Sequence, residues 1–275
     1  MILTDIQIEL SGICNLACSY CAAKTRRVGK GFMDVDLARS LIREAAELKL
    51  IEVSYHGMGE STLHPALIEL LQYGESLGLS QRLATNCVQY VPELTTLSQT
   101  KLILSLHGGT EYWSQCIANA EKYLQTDFSN PLVMPTIVCA EGYRYFVSQV
   151  YGRLLPLIEE RSKAELHLKQ PVTHPDQPPV NGFIPEYESH RQIRKDTIHT
   201  PQSIGWFCST PDFFVEVMAD GTTSPCCVAV DDWGLPNAKE GLEVVWTSER
   251  MQEIQRMWKE SSGNLPCTEC QESFY

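Results

Sequence analysis

Hydrophobic and polar positions alternate with two different periods along the first 170 residues. Ile6, Ile8 and Leu10 alternate with Gln7 and Glu9, a period of two that predicts a strand. Leu37, Leu41, Ala45 and Leu48 then recur at steps of four and three, one face of an amphipathic helix with Asp34 or Asp36 as its N-cap. Ile51–Tyr55 reads as a second strand, and 65–77 as a second helix with Pro65 near its first turn. The unit repeats, with strands near 81–85, 101–106, 132–138 and 165–168, and helices near 91–98, 111–125 and 143–161. The last of these helices is expected to break at Gly152 or Pro156. Six strand–helix alternations predict an α/β fold with a parallel sheet, open or curled into part of a barrel. In such folds chemistry gathers at the C-terminal ends of the strands.

The pattern fails from about 170 to 207, where Pro171, Pro175, Pro178, Pro179, Pro185 and Pro201 crowd a polar stretch. It is expected to be an irregular connection or lid. Beyond it, the segments 213–218 and 222–225 flank Ala219-Asp220-Gly221 and predict a hairpin. A final helix is expected, capped by Thr247 or Ser248, with Met251, Ile254, Met257 and Trp258 on one face. The expected divisions are 1–170, 171–207 and 208–275.

The chain has 275 residues, 43% of them apolar, with 22 Lys and Arg against 34 Asp and Glu and a net charge of −12. This describes a folded globular protein. The acidity argues against nucleic acid as a partner, because the run Lys24, Arg26, Arg27 is too short to track phosphates. No apolar stretch is long enough to span a membrane, and the first ten residues lack the form of a signal peptide. Eleven cysteines cannot all pair within one chain, and without a secretion signal they point to a reducing, cytoplasmic setting where thiolates bind metal or do chemistry.

Cys14, Cys18 and Cys21 form C-x3-C-x2-C directly after the first strand. Three cysteines at one fixed spacing would arise by chance roughly 0.02 times in this length. Three thiolates from one short loop leave one iron of a 4Fe–4S cube open to chelate a second ligand. A zinc site completed by a histidine is the competing reading, but no histidine lies at zinc-finger spacing. With Tyr20 before its last cysteine, the motif resembles that of the radical S-adenosylmethionine (SAM) superfamily. The segment His56-Gly57-Met58-Gly59-Glu60 after the second strand is similar to that family's G-G-E-type motif, with Met58 in place of the first glycine. Ala84-Thr85-Asn86-Cys87 is similar to its T-N-G turn.

The resemblance implies a partial (β/α)6 TIM-like barrel that binds SAM. It implies cofactor contacts from Tyr20, Gly57, Met58, Gly59, Glu60 and Asn86, from Ser105 and His107 at the end of strand four, and from Val138 on strand five. Cys208, Cys226, Cys267 and Cys270 resemble the SPASM annex of such enzymes in its shortened "twitch" form, on a small hairpin-plus-helix domain. They would hold a second, fully ligated 4Fe–4S cluster suited to electron transfer. The chain stops five residues past Cys270, so one auxiliary cluster is expected. A zinc ribbon is the alternative for this set, and Cys227 is a spare or an alternative ligand. Cys87, Cys116 and Cys139 read as small buried hydrophobes.

Glu165 and His167 share one face of strand six and are the candidate catalytic residues; the same face could equally be the strand's wet edge. Glu9 is either cavity lining or a structural hydrogen-bonding group. The activity implied is reductive SAM cleavage to a 5′-deoxyadenosyl radical, with a flavodoxin- or ferredoxin-type reductant. The radical would abstract hydrogen from substrate, and the auxiliary cluster would accept the remaining electron. The substrate implied is a ribosomally made peptide, with an aminocyclitol-like small molecule as the alternative. Thirteen residues before Cys14 leave no room for an N-terminal leader-binding domain, which weighs against the peptide; the larger size of the peptide-modifying class weighs for it. A zinc-binding module without enzymatic activity is the remaining alternative.

Overall fold

The computed structural model describes residues 2–18, 21, 29–106, 111–126, 131–132, 148–150, 152–160, 166–169, 193–196, 212–226 and 232–260. The chain forms two compact units. One comprises Met1–Cys14, Cys21–Leu83 and His199–Glu272; the other comprises Asn15–Tyr20, Ala84–Ile198 and Ser273–Tyr275.

The first unit is built on parallel strands β1 (Asp5–Ile8), β2 (Glu52–Tyr55) and the start of β3 (Gln81–Thr85). Register is set by Ile6 opposite Val53 and by Val53 opposite Gln81. One face of these strands carries Ile6, Ile8, Val53, Tyr55 and Leu83, all fully buried. Two helices supply the matching apolar stripes: α1 (Val35–Glu47) buries Ala38, Leu41, Ile42 and Ala45, and α2 (Leu67–Ser76) buries Leu67, Leu70 and Leu71. Asp34 caps α1 by accepting from the amides of Asp36 and Leu37 at 3.0 and 3.1 Å. The α1 stripe is shifted from the one read in the sequence, because Leu48 falls at the C-cap and stays exposed while Ala38 and Ile42 face the sheet.

The opposite face of β1 is polar yet equally dry. Gln7 and Glu9 are buried, and Gln7 Nε2 donates to Glu216 Oε1 at 2.9 Å. Glu216 lies on β8 (Phe214–Val217), which pairs parallel with β1 along its whole length, Ile6 opposite Val215 and Ile8 opposite Val217. β8 turns through Asp220 and Gly221 into antiparallel β9 (Thr223–Ser224), the expected hairpin. The strand order in this unit is therefore β3-β2-β1-β8-β9. The C-terminal helices are α5 (Leu242–Thr247) and α6 (Glu249–Glu260). Glu44 of α1 caps the start of α5, its Oε2 accepting from the Leu242 amide at 2.7 Å. Ser248 caps α6 through the Met251 amide at 3.2 Å, and Met251, Ile254 and Trp258 are buried while Met257 is exposed.

The second unit contains the end of β3, β4 (Thr100–Leu104) paired parallel with β5 (Pro131–Leu132), and helix α3 (Trp113–Gln125). The expected helix at 91–98 is a 3-10 turn at Pro92–Thr96. Helical residues 148–150 and 152–153 give way to a turn at Leu154, between the two expected break points, and Pro156 sits in the first turn of the next helix, α4 (Leu155–Glu159), where a missing amide hydrogen costs nothing. Arg153 joins Glu121 of α3 through two hydrogen bonds, at 2.7 and 2.6 Å. β6 (Leu166–Lys169) pairs in parallel with β7 (Ile193–Asp196) as a separate two-stranded sheet. The stretch expected to be irregular thus contributes a strand. A polar sequence with a short Ile-Arg-Lys-Asp run has no periodicity long enough to announce one.

Candidate functional site

In the first unit the C-terminal end of β1 leads into a loop whose two legs are fastened at the base. Ser11 bridges to Phe32, the Gly12 amide donates to Gly31 O at 2.7 Å, and the Met33 amide donates to Leu10 O at 2.9 Å. A Cβ on Gly12 would stand 1.7 Å from Gly29 O, so the legs approach as only glycine allows. Cys14 and Cys21, in this unit, are half-buried.

The segment after β2 packs onto the first leg of that loop. The Glu60 amide donates to Ile13 O at 2.9 Å. A Cβ on Gly59 would lie 1.8 Å from Ser11 O. The second glycine of the motif is therefore demanded by backbone-to-backbone contact. The Glu60 carboxylate turns back on its own chain, accepting from the amide and hydroxyl of Thr62 at 3.1 and 2.7 Å. His64 fixes the next turn: its Nδ1 accepts from the Ala66 amide at 3.2 Å, which leaves Nε2 to donate to Met33 O at 2.9 Å.

Glu9 holds this turn from the β1 side. Its Oε1 accepts from the amides of Met58 and Gly59 at 2.8 and 3.2 Å, and its Oε2 accepts from the Ala219 amide at 3.4 Å. The side chain is 1% exposed, so backbone donors stand in for water around a buried charge. Of the two sequence readings of Glu9, the hydrogen-bonding one matches these contacts. Asp220, missed as anything but a turn residue, reaches the returning leg of the cysteine loop: Oδ2 accepts from the Gly29 amide at 2.7 Å. Burial pushes this carboxyl up, but the amides of Gly29 and Thr222 outweigh it and hold it below its ordinary value. Nothing local in the sequence marks that contact, which spans 191 positions.

In the second unit, Asn86 follows β3 and is buried. Its Nδ2 donates to Asn15 Oδ1 at 2.7 Å, tying the turn to the residue after Cys14 in the chain, and its Oδ1 accepts from the Val88 amide at 3.0 Å. Cys87 has φ +63°, the left-handed backbone for which the T-N-G motif supplies glycine. Helix α3 braces the turn: Asn119 Nδ2 donates to Cys87 O and Val88 O at 3.0 and 3.1 Å. Ser105 lies half-buried beyond β4, its amide donating to Thr85 O at 2.7 Å. Cys18 is half-buried, while Cys87 and Cys116 are buried as expected.

In the C-terminal segment Cys226 is buried, its amide held by Ser224 Oγ at 3.1 Å. Tyr20, His107, Val138, Glu165, Cys139, Cys208, Cys227, Cys267 and Cys270 lie outside the described residues, as does the side chain of His167. Among the described residues no three His, Cys, Asp or Glu side chains are already gathered for a metal ion. The fit to an iron–sulfur cluster rests on donor chemistry: Cys14, Cys18 and Cys21 are all partly open to solvent on one short stretch of chain. Among the described residues no helix is long and apolar enough to cross a membrane.

Residues 8–127 match the radical SAM superfamily, and residues 208–271 match the iron–sulfur cluster-binding domain SPASM. The chain thus carries a match to a radical SAM domain followed by a match to a SPASM domain. The pairing of these two domains implies SAM, its 4Fe–4S cluster and further iron–sulfur binding. Among its relatives, the mycofactocin maturase MftC of Mycobacterium tuberculosis is 30% identical over 106 residues, 37% of this chain. That match spans only 27% of the maturase. In fold this chain resembles Streptococcus suis SuiB, with a TM-score of 0.65 at 14% identity over 93% of this chain and 68% of SuiB. It also resembles BtrN, crystallised with AdoMet and 2-DOIA, with a TM-score of 0.57 at 16% identity over 100% of this chain and 98% of BtrN.

Proposed function

We propose that this protein is a radical SAM enzyme, an oxidoreductase that modifies a ribosomally made peptide by abstracting a hydrogen atom. The observation that carries the reading is the seating of the Gly57–Glu60 turn on the first leg of the cysteine loop, Gly59 against Ser11 and the Glu60 amide on Ile13 O. Two motifs that the sequence separates by 36 positions, Cys21 and Gly57, thereby belong to one piece of structure. Cys14, Cys18 and Cys21 would hold the first cluster. When bound, cluster and SAM together supply hydrogen-atom abstraction from an unactivated carbon.

The residues of the chain provide position and enclosure. The 57–60 turn would receive the amino group of SAM on its backbone, held rigid by Glu9 from below. Asn86, Ser105 and, outside the described residues, Tyr20, His107 and Val138 would contact the rest of the molecule. Glu165 and His167 would hold the substrate and take a proton from it. Cys208, Cys226, Cys267 and Cys270 would ligate a second 4Fe–4S cluster on all four irons, a donor set suited to carrying electrons and not to binding substrate. In functional terms the divisions are 1–170 for the SAM core, 171–207 for the connection and 208–275 for the auxiliary domain. A flavodoxin- or ferredoxin-type protein of the cytoplasm would supply the electron.

The peptide is favoured by the maturase relative and by SuiB, which has been crystallised with its precursor peptide SuiA. A second reading, oxidation of an aminocyclitol-like alcohol, is favoured by the match to BtrN over nearly its full length. The test is metal and SAM chemistry on anaerobically reconstituted protein. Two cubes require roughly eight irons, and replacing Cys14, Cys18 and Cys21 with alanine should leave about half and abolish formation of 5′-deoxyadenosine. Stoichiometric zinc without iron would end the reading. Mass spectrometry of candidate peptides and aminocyclitols then separates the two substrates.

A further inference from the structure

Two carboxylates run in opposite directions between the hairpin turn at 219–221 and the start of the chain. Glu9, just past β1, reaches out to the hairpin, accepting from the Ala219 amide at 3.4 Å while holding Met58 and Gly59 with its other oxygen. Asp220, the next residue of the hairpin, reaches back to the Gly29 amide at 2.7 Å and is itself steadied by the Thr222 amide on Oδ1 at 2.9 Å. The hairpin cannot drift under these contacts. The Glu9 amide donates to Val217 O at 2.8 Å, the Gly221 amide closes on Met218 O at 2.8 Å, and β8 is paired with β1 over four residues. All the groups named lie within the first unit.

We propose that Glu9 and Asp220 are positioning residues that make the 219–221 turn, at the head of the SPASM segment, a working part of the SAM site. Glu9 fixes the height and tilt of the 57–60 turn. Asp220 fixes the returning leg of the loop that carries Cys14, Cys18 and Cys21. The two surfaces that must bracket SAM are then referenced to one hairpin instead of to each other. The charge matters: each carboxylate serves amide donors from separate segments with its two oxygens, which no neutral side chain of that size can do. A consequence is that a substitution in the auxiliary segment weakens an event assigned to the core. The inference rests on the function proposed above.

The experiment uses the full-length, anaerobically reconstituted and reduced protein, with SAM titrated against the electron paramagnetic resonance signal of the first cluster. Amide hydrogen exchange is followed in parallel for peptides covering 29–33 and 57–60. Asp220 is exposed, so Asp220→Ala is expected to fold with wild-type iron content. It should raise the SAM half-saturation concentration roughly tenfold, the effect of one lost charge-assisted bond, and speed exchange at 29–33 by a similar factor. Asp220→Asn keeps one accepting oxygen and should fall between. Glu9→Gln should also raise half-saturation about tenfold, with its faster exchange at 57–60 instead. A folded Asp220→Ala that binds SAM at the wild-type concentration overturns the inference, whether or not its exchange has changed. Absence of any SAM-induced change in the wild-type signal would instead overturn the proposed function, and this inference with it.

Discussion

Gly59→Ala tests the packing of the 57–60 turn on the cysteine loop most directly. The added methyl would stand 1.8 Å from Ser11 O, 2.7 Å from Ser11 C and 2.9 Å from Ile13 O. All three are backbone atoms, so no side chain can swing aside, and relief needs a shift of more than an ångström. That shift would stretch the Glu60 amide bond to Ile13 O, now 2.9 Å, and the Gly59 amide bond to Glu9, now 3.2 Å. Overpacking of this kind costs about 1–3 kcal/mol. Each of the two internal hydrogen bonds lost adds about 1 kcal/mol, which gives a total of about 3–5 kcal/mol. For a chain of this size 1 kcal/mol moves the melting temperature by about 2–4 °C, so the expected fall is about 6–20 °C. The assay is calorimetric or circular-dichroism melting of the reconstituted protein under anaerobic conditions. Gly152→Ala is the control, because nothing lies within 4 Å of a Cβ there and the residue is helical. It should gain about 0.5–1 kcal/mol from the better helix propensity of alanine. If Gly59→Ala melts within about 1 °C of the wild type, the turn does not rest on the loop as described, and the reading of the site falls with it.

Tyr55→Phe removes the donor that reaches Gln81 Oε1 at 2.8 Å in a fully buried setting, and should cost about 1–2 kcal/mol in urea unfolding; no loss would mean that the bond is not formed in solution. Asp220 has a lowered native pKa, so its stabilisation is complete above the ordinary carboxylate value and is lost as pH falls through the native one. The melting difference between wild-type and Asp220→Ala apoprotein should therefore be flat from about pH 8 to pH 5 and shrink below about pH 4, and a difference that widens in acid would refute the assignment. Replacing Cys267 and Cys270 with alanine should leave some 5′-deoxyadenosine formation but abolish oxidised product; a folded variant with a wild-type product ratio would make the second cluster structural.

Much of the fold was legible because helices and parallel strands are written in short-range periodicity. The alternation at 6–10, the capped helix after Asp34 and the hairpin around Asp220 stand where the sequence puts them. The first cysteine motif was equally legible, since three thiols on eight consecutive residues need no tertiary information to share a loop. Errors came where two patterns compete locally. Leu48 continues the apolar step of α1, yet the helix ends before it. The expected break near Pro156 falls at Leu154, and the proline itself opens the next helix.

Only the tertiary structure decided that β8 lies against β1, and that Glu9 and Asp220 reach across the pairing so made. The sequence determines that position 9 is polar at the end of an apolar strand; it holds no record of which amides that carboxylate will meet. Those amides come from segments about 50 and 210 residues away, brought together because a sheet edge must be paired and a buried charge must be surrounded by donors. Periodicity is a property of neighbours along the chain, whereas the satisfaction of a buried polar group is a property of the whole packed molecule.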